Sequence, residues 1–105
     1  MNSTLETTLI RPADRLGSVL TGRSTAAQLR ESVELVLDRD GEVTVDFDGV
    51  MVISPSFADE LFAKLPRAAI ESGRVRFVNL DEDHEALVRF VFEGRDPGRS
   101  NGAAA

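Results

Sequence analysis

Hydrophobic and polar positions along the chain change period several times, and each change marks an element. From Leu5 to Ile10 polar and apolar residues alternate, the two-residue period of a half-buried strand. Arg11-Pro12-Ala13-Asp14 interrupts it as a turn, since proline presets φ and aspartate bonds its own backbone. Leu16 to Thr21 then predicts a second short strand, returning as a hairpin. Beyond Ser24 or Thr25, either of which can cap a helix, Ala26, Leu29, Val33, Val36 and Leu37 recur at helical spacing as far as Arg39. Gly41 is placed to take the left-handed conformation that ends such a helix.

Glu42 to Phe47 predicts a strand with Val43, Val45 and Phe47 on one side and Thr44 and Asp46 on the other. A second helix is expected from Ser54–Ser56 to Glu71, its inner face built by Phe57, Ala58, Leu61, Phe62, Leu65 and Ala69, with a kink at Pro66. Arg74 to Leu80 predicts the next strand. Asp81-Glu82-Asp83 opens the last helix, acids at the positive end of its dipole, with Leu87, Val88, Val91 and Phe92 as its buried stripe. Residues 1–94 form one domain on this reading, and 95–105, without any apolar period, a disordered tail.

The order β-β-α-β-α-β-α predicts an α/β fold: a small mixed sheet of about four strands, parallel where helices connect them and antiparallel at the hairpin. Thr44, Asp46 and Arg76 on the second face of the strands imply helices mainly on one side, because a sheet covered on both faces has continuous apolar strands.

Charge narrows the range of functions. Eighteen acids against twelve Lys and Arg leave a net charge of −6. With the arginines scattered, neither nucleic acid nor an anionic membrane is an expected partner. The absence of cysteine excludes disulfides, a thiolate nucleophile and cysteine-metal sites. No signal-like or membrane-spanning run is present, and a cytoplasmic location is the expectation.

The candidate chemistry centres on Ser54-Pro55-Ser56. Ser54 followed by proline fits an N-cap with proline at the first helical position, and Ser56 followed by Asp59 fits a capping-box-like pair. The same hydroxyls at a helix start suit a phosphoryl group, which would lie beside Asp48, Asp59 and Glu60. Elsewhere the pattern is bland. His84 is the single histidine and has no partner at catalytic or metal-ligand spacing. Asp81, Glu82, Asp83 and Glu85 lack the spacing and glycine of a calcium loop. Asp59 and Glu60 project about 100° apart on a helix and do not form a facing carboxylate pair. Arg23-Ser24-Thr25 is a helix start that could take an anion, and no glycine-rich phosphate loop is present. No base–nucleophile pair can be assembled, so no enzyme, metal or cofactor is expected.

The segment Val43 to Phe62 resembles STAS domains, the fold of bacterial anti-sigma-factor antagonists. Asp46 matches the acid or amide that ends their strand, Ser54 falls at the motif's Asp, Pro55 at its first Ser and Ser56 at its phosphorylated Ser, while Phe57 replaces the following Gly. Ile53-Ser54-Pro55-Ser56-Phe57-Ala58-Asp59-Glu60-Leu61 is closer to a divergent, uncharacterised STAS-like branch with the pattern Ser-x-Ser-Phe-Ala-Asp-Glu-Leu. The resemblance covers roughly residues 16 to 93. It implies a non-enzymatic signalling module whose partner is an anti-sigma factor or a histidine-kinase-like ATPase. Ser56, or failing it Ser54, is the phosphorylation candidate, and Asp46, Asp48, Ser54, Ser56, Phe57, Asp59 and Glu60 are the partner-binding candidates. A constitutive adaptor with both serines as caps, and a small-molecule or nucleotide-binding domain using the helix starts at Ser24 and Ser56, are the alternatives.

Overall fold

The computed structural model describes residues 7–94. The start of the first predicted strand and the 95–105 tail lie outside the described residues. In chain order the elements are β1 (Thr7–Ile10), α1 (Pro12–Leu16), β2 (Val19–Leu20), α2 (Arg23–Asp38), β3 (Glu42–Asp46), β4 (Val52–Ile53), α3 (Pro55–Ala58), a π-helical turn (Asp59–Ala63), α4 (Arg67–Glu71), β5 (Val75–Val78) and α5 (Glu82–Gly94). The strands form two sheets, β1-β3-β5 and β2-β4, and every pairing among the described residues is parallel. The fold is α/β.

The expected hairpin does not form. Where a turn was predicted, the chain makes α1, with Pro12 buried at its first position, where a missing N–H leaves no bond unmade. This helix carries the chain away from β1, so β1 and β2 enter different sheets and each pairs in parallel with a later strand. Among the described residues there are five short strands in place of about four, and antiparallel pairing is absent among them.

The register explains which face is dry. Ile10, Val45 and Phe77 lie side by side, as do Val43 and Val75, and these point inward. Leu9, Thr44 and Arg76 form the row between them, on the opposite face, with Asp46 beside Val78. Period-two alternation therefore separates the faces cleanly. α2, the α3–π segment and α5 pack together on the inner side. Phe62 sits at their centre. Its ring meets Phe77 edge-on with centroids 4.8 Å apart, and lies 5.8 Å from Phe47 and 6.4 Å from Phe92, within the favoured range for aromatic pairs.

Helix α2 buries Ala26, Leu29, Val33, Val36 and Leu37, the predicted stripe. Its caps differ from expectation. Gly22, with φ +87°, stands at the N-cap, so Ser24 and Thr25 lie inside the first turn. At the other end Asp40, not Gly41, takes the left-handed conformation, φ +61°. The Asp40 N–H donates to the Leu37 carbonyl and the Gly41 N–H to the Val36 carbonyl, a Schellman closure shifted by one residue. Arg74 completes it by donating to the carbonyls of Leu37 (2.8 Å) and Gly41 (3.2 Å).

The predicted second helix is broken rather than kinked. Pro66 has no N–H to offer the Phe62 carbonyl, and its ring disfavours the α conformation at Leu65. The helix widens into the π turn, stops, and restarts as α4 with Pro66 (ψ 118°) as its N-cap.

Asp40→Gly is expected to raise stability by about 0.5–1 kcal/mol. It removes a side chain from a left-handed position and a carboxylate from the negative end of α2. Chemical denaturation of the two chains at neutral pH checks it, and Asp40→Val should move the midpoint in the opposite direction.

Candidate functional site

The β2–β4 pair sets the geometry. Leu20 and Ile53 are register partners, and the Ser54 N–H donates to the Leu20 carbonyl at 2.9 Å. Both strands end there and both chains turn into helices, α2 and α3, which pack against each other. Arg23 and Ser56 each stand three residues beyond their strand's last paired residue.

Ser54 is the N-cap of α3, with Pro55 at the first helical position. Its Oγ accepts the Phe57 N–H at 3.1 Å and lies 3.2 Å from the Ser56 Oγ. Ser56 is inside the first turn, so the capping box expected between Ser56 and Asp59 does not form. Asp59 turns instead to α2, its Oδ2 accepting from the Arg23 Nη1 at 2.8 Å. This hydrogen bond raises the Arg23 pKa above its ordinary value.

The neighbouring acid is held more tightly. Glu60 is buried, with Oε2 3.0 Å from the Arg30 Nη2 and Oε1 2.9 Å from the Lys64 Nζ and 3.6 Å from the Arg23 Nη1. The Lys64 hydrogen bond, helped by Arg30 and opposed by burial, lowers its pKa below the ordinary value. Asp59 and Glu60 thus share the Arg23 guanidinium, and Glu60 is paired with Arg30 and Lys64 as well.

Asp46 and Asp48 belong to another cluster, at the carboxyl ends of β1, β3 and β5. The Asp46 Oδ1 accepts from the Asn79 Nδ2 at 2.8 Å and from the Asp48 N–H at 2.9 Å. These bonds, the Asn79 one first, lower its pKa. Arg11 donates to Asp48 at 2.9 Å and lies 3.8 Å from both Asp46 and Asp14. The tight turn after β3 needs Gly49, whose φ is +87° and where a Cβ would meet the Ala13 Cβ at 3.1 Å.

Of the residues expected to meet a partner, Ser54, Ser56 and Asp59 come together at the start of α3. Phe57 is 0% exposed and is corrected from a contact to a core residue that supports that start from beneath. Glu60 is likewise turned inward. His84 is also buried. Its backbone N–H donates to the Asp81 Oδ1 at 2.8 Å and its ring Nδ1 lies 3.4 Å from the same oxygen, so the pair closes the first turn of α5.

Sequence reasoning had Arg23 only as part of a helix start that could take an anion, and missed its pairing with Asp59 and an apolar patch. Val19 (54% exposed), Met51 (73%) and Val52 (46%) lie on the β2–β4 ribbon next to Ser54. Their one signal was an apolar run, Val50 to Ile53, between the predicted strand ending at Phe47 and the second helix.

A protein-family model described as the STAS-like domain of unknown function (DUF4325) matches residues 25–85. The match spans more than half of the chain, and the chain belongs to that family. It takes in most of α2 and everything through the start of α5, while β1, α1, β2 and Arg23 precede it. No curated protein and no solved structure matches.

Two outcomes are expected here. Ser54→Ala should cost about 1 kcal/mol through loss of the cap, while Ser56→Ala should cost distinctly less, as thermal melts of both variants will show. In acid, Glu60 and Asp46 both have folded pKa values below their unfolded ones, so their stabilisation is complete above those unfolded values and is lost on protonation. Stability should therefore hold from neutral pH to about the ordinary Glu value of 4.5, then fall as pH drops further through 3.8, the ordinary Asp value. Glu60→Gln should make that fall shallower in denaturation midpoints measured against pH.

Proposed function

We propose that this chain is a non-enzymatic regulatory module that binds a protein partner through the start of α3 and the adjoining β2–β4 ribbon. The observation carrying this reading is the patch of Val19, Met51 and Val52, three apolar side chains held in water on a short ribbon beside two hydroxyls. Grouped apolar exposure of this kind marks interaction surfaces more often than it marks free solvent boundary. The family supports a regulatory, partner-binding role; the partner class proposed with it, an anti-sigma factor or a histidine-kinase-like ATPase met in the cytoplasm, follows the sequence resemblance.

Ser56 is the proposed switch, and Ser54 the second choice, because the Ser54 hydroxyl is already engaged as a cap. A phosphoryl group arriving there would meet acids that are paired with Arg23, Arg30 and Lys64, so their repulsion is weaker than their number suggests. The cap bond of Ser54 also favours a second reading, a constitutive adaptor in which both serines are structural.

Met51→Asp is expected to weaken binding of the cognate anti-sigma factor or ATPase by tenfold or more in calorimetric titration, with the melting temperature nearly unchanged. Incubation with the ATPase and ATP should place phosphate on Ser56 in peptide mass spectra. Unaltered affinity in Met51→Asp would overturn the surface. Binding that persists with no phosphate on either serine would favour the adaptor.

A further inference from the structure

We propose that Arg23 is the built-in receiver of a phosphoryl group on Ser56, so that modification exchanges the Arg23–Asp59 ion pair for an Arg23–phosphate pair across the α2–α3 junction. The inference rests on the switch reading above and adds how the fold would register it.

Three observations carry it. Arg23 and Ser56 leave the paired strands in step, each three residues past the Leu20–Ile53 partners, so the two side chains start from matching positions on adjacent connections. Asp59 follows Ser56 by three residues in a continuous helical backbone, its φ and ψ being −61° and −45°, so the two share a face. Asp59 also holds the Arg23 guanidinium, at 2.8 Å. The cation is therefore held by the residue one helical turn beyond Ser56, while the unmodified Ser56 Oγ lies 3.2 Å from the Ser54 Oγ. The Arg23 side chain is 55% exposed, which leaves it room to move.

The chemistry balances simply. The Ser56 Oγ forms a bond to the γ-phosphorus of a nucleoside triphosphate held by the modifying kinase, the bond to the β–γ bridging oxygen breaks, the hydroxyl proton passes to a base of that kinase, and the nucleoside diphosphate leaves. The product carries close to two negative charges and several acceptor oxygens where a neutral hydroxyl stood. An arginine fork binds such a group in two-point fashion and more strongly than it binds one carboxylate. Asp59 is thus the competitor that the phosphate displaces. Glu60, at 3.6 Å from Arg23, Arg30 and Lys64 are the other charges at the junction, and the latter two stay engaged with Glu60 throughout.

The test uses the full chain with phosphoserine encoded genetically at position 56, which needs no kinase, and follows the phosphorus resonance against pH. The second pKa of phosphoserine in a peptide is about 6. It should lie lower in the folded protein and rise by about half a unit or more in Arg23→Gln, the scale of an exposed charge pair. Arg23→Lys should fall between, keeping the charge but losing the fork. Asp59→Asn, which removes the competitor, should lower the value further. Identical titrations in the parent and Arg23→Gln chains, or a rise in Asp59→Asn, would overturn the assignment. Because the phosphate is encoded, a flat result removes Arg23 alone. Failure of any partner kinase to modify the protein instead removes the switch and leaves these titrations as they stand.

Discussion

The hydrogen bond from the Ser54 N–H to the Leu20 carbonyl closes the β2–β4 ladder where both strands turn into helices. Its consequences exceed its own strength, which for a backbone bond is on the order of 1 kcal/mol net. It fixes Ser54 in the extended conformation an N-cap requires, and it puts the origins of α2 and α3 side by side. From there the packing of α2 on the α3–π segment brings Arg23 to Asp59, and Arg30 to Glu60. Parallel pairing is essential to this. An antiparallel partner would send one of the two chains out at the far end of the ribbon, and no helix start would lie beside Ser56.

Much of the fold was legible because periodicity reports burial directly. All five buried positions of α2, the inward row of β3 and the core side of α5 follow from spacing alone. The hairpin was misread because Arg11-Pro12-Ala13-Asp14 satisfies the rules of a turn and the rules of a helix start equally well, and only tertiary pairing decides between them. That one error hid the site's other half. With β2 placed next to β1, nothing in the sequence puts Arg23 near Ser56, or Val19 next to Val52. The helix ends were missed for a smaller reason: glycine is the easiest residue in left-handed conformation, but Asp is tolerated there, and the chain used Asp40 one residue before Gly41.

Charge was legible as a total and not as a pattern. A net −6 suggests an acidic surface, yet the acids nearest the serines are those most fully compensated. Arg23 serves both Asp59 and Glu60, Arg30 and the Lys64 that follows the π turn are paired with Glu60, and Asp48 is held by Arg11. The excess negative charge lies elsewhere, on Glu31 and Asp38 of α2 and on the first turn of α5, all exposed. A protein partner approaching the β2–β4 ribbon therefore meets an apolar patch edged by paired charges rather than a field of one sign.

The π turn ties these features to one residue. Neighbouring residues on an α-helix project about 100° apart, and the long Arg23 side chain on the facing helix reaches both Asp59 and Glu60. Asp59 and Glu60 open the π turn Asp59–Ala63, and both carboxylates lie within 3.6 Å of the Arg23 guanidinium. Pro66 is the local reason the α pattern cannot be maintained past this point, since the donor that would bond the Phe62 carbonyl is missing. A proline that at first reads as a defect in a long helix thus ends the segment that carries these carboxylates. It does so without disturbing Phe62, whose ring stays locked among Phe47, Phe77 and Phe92.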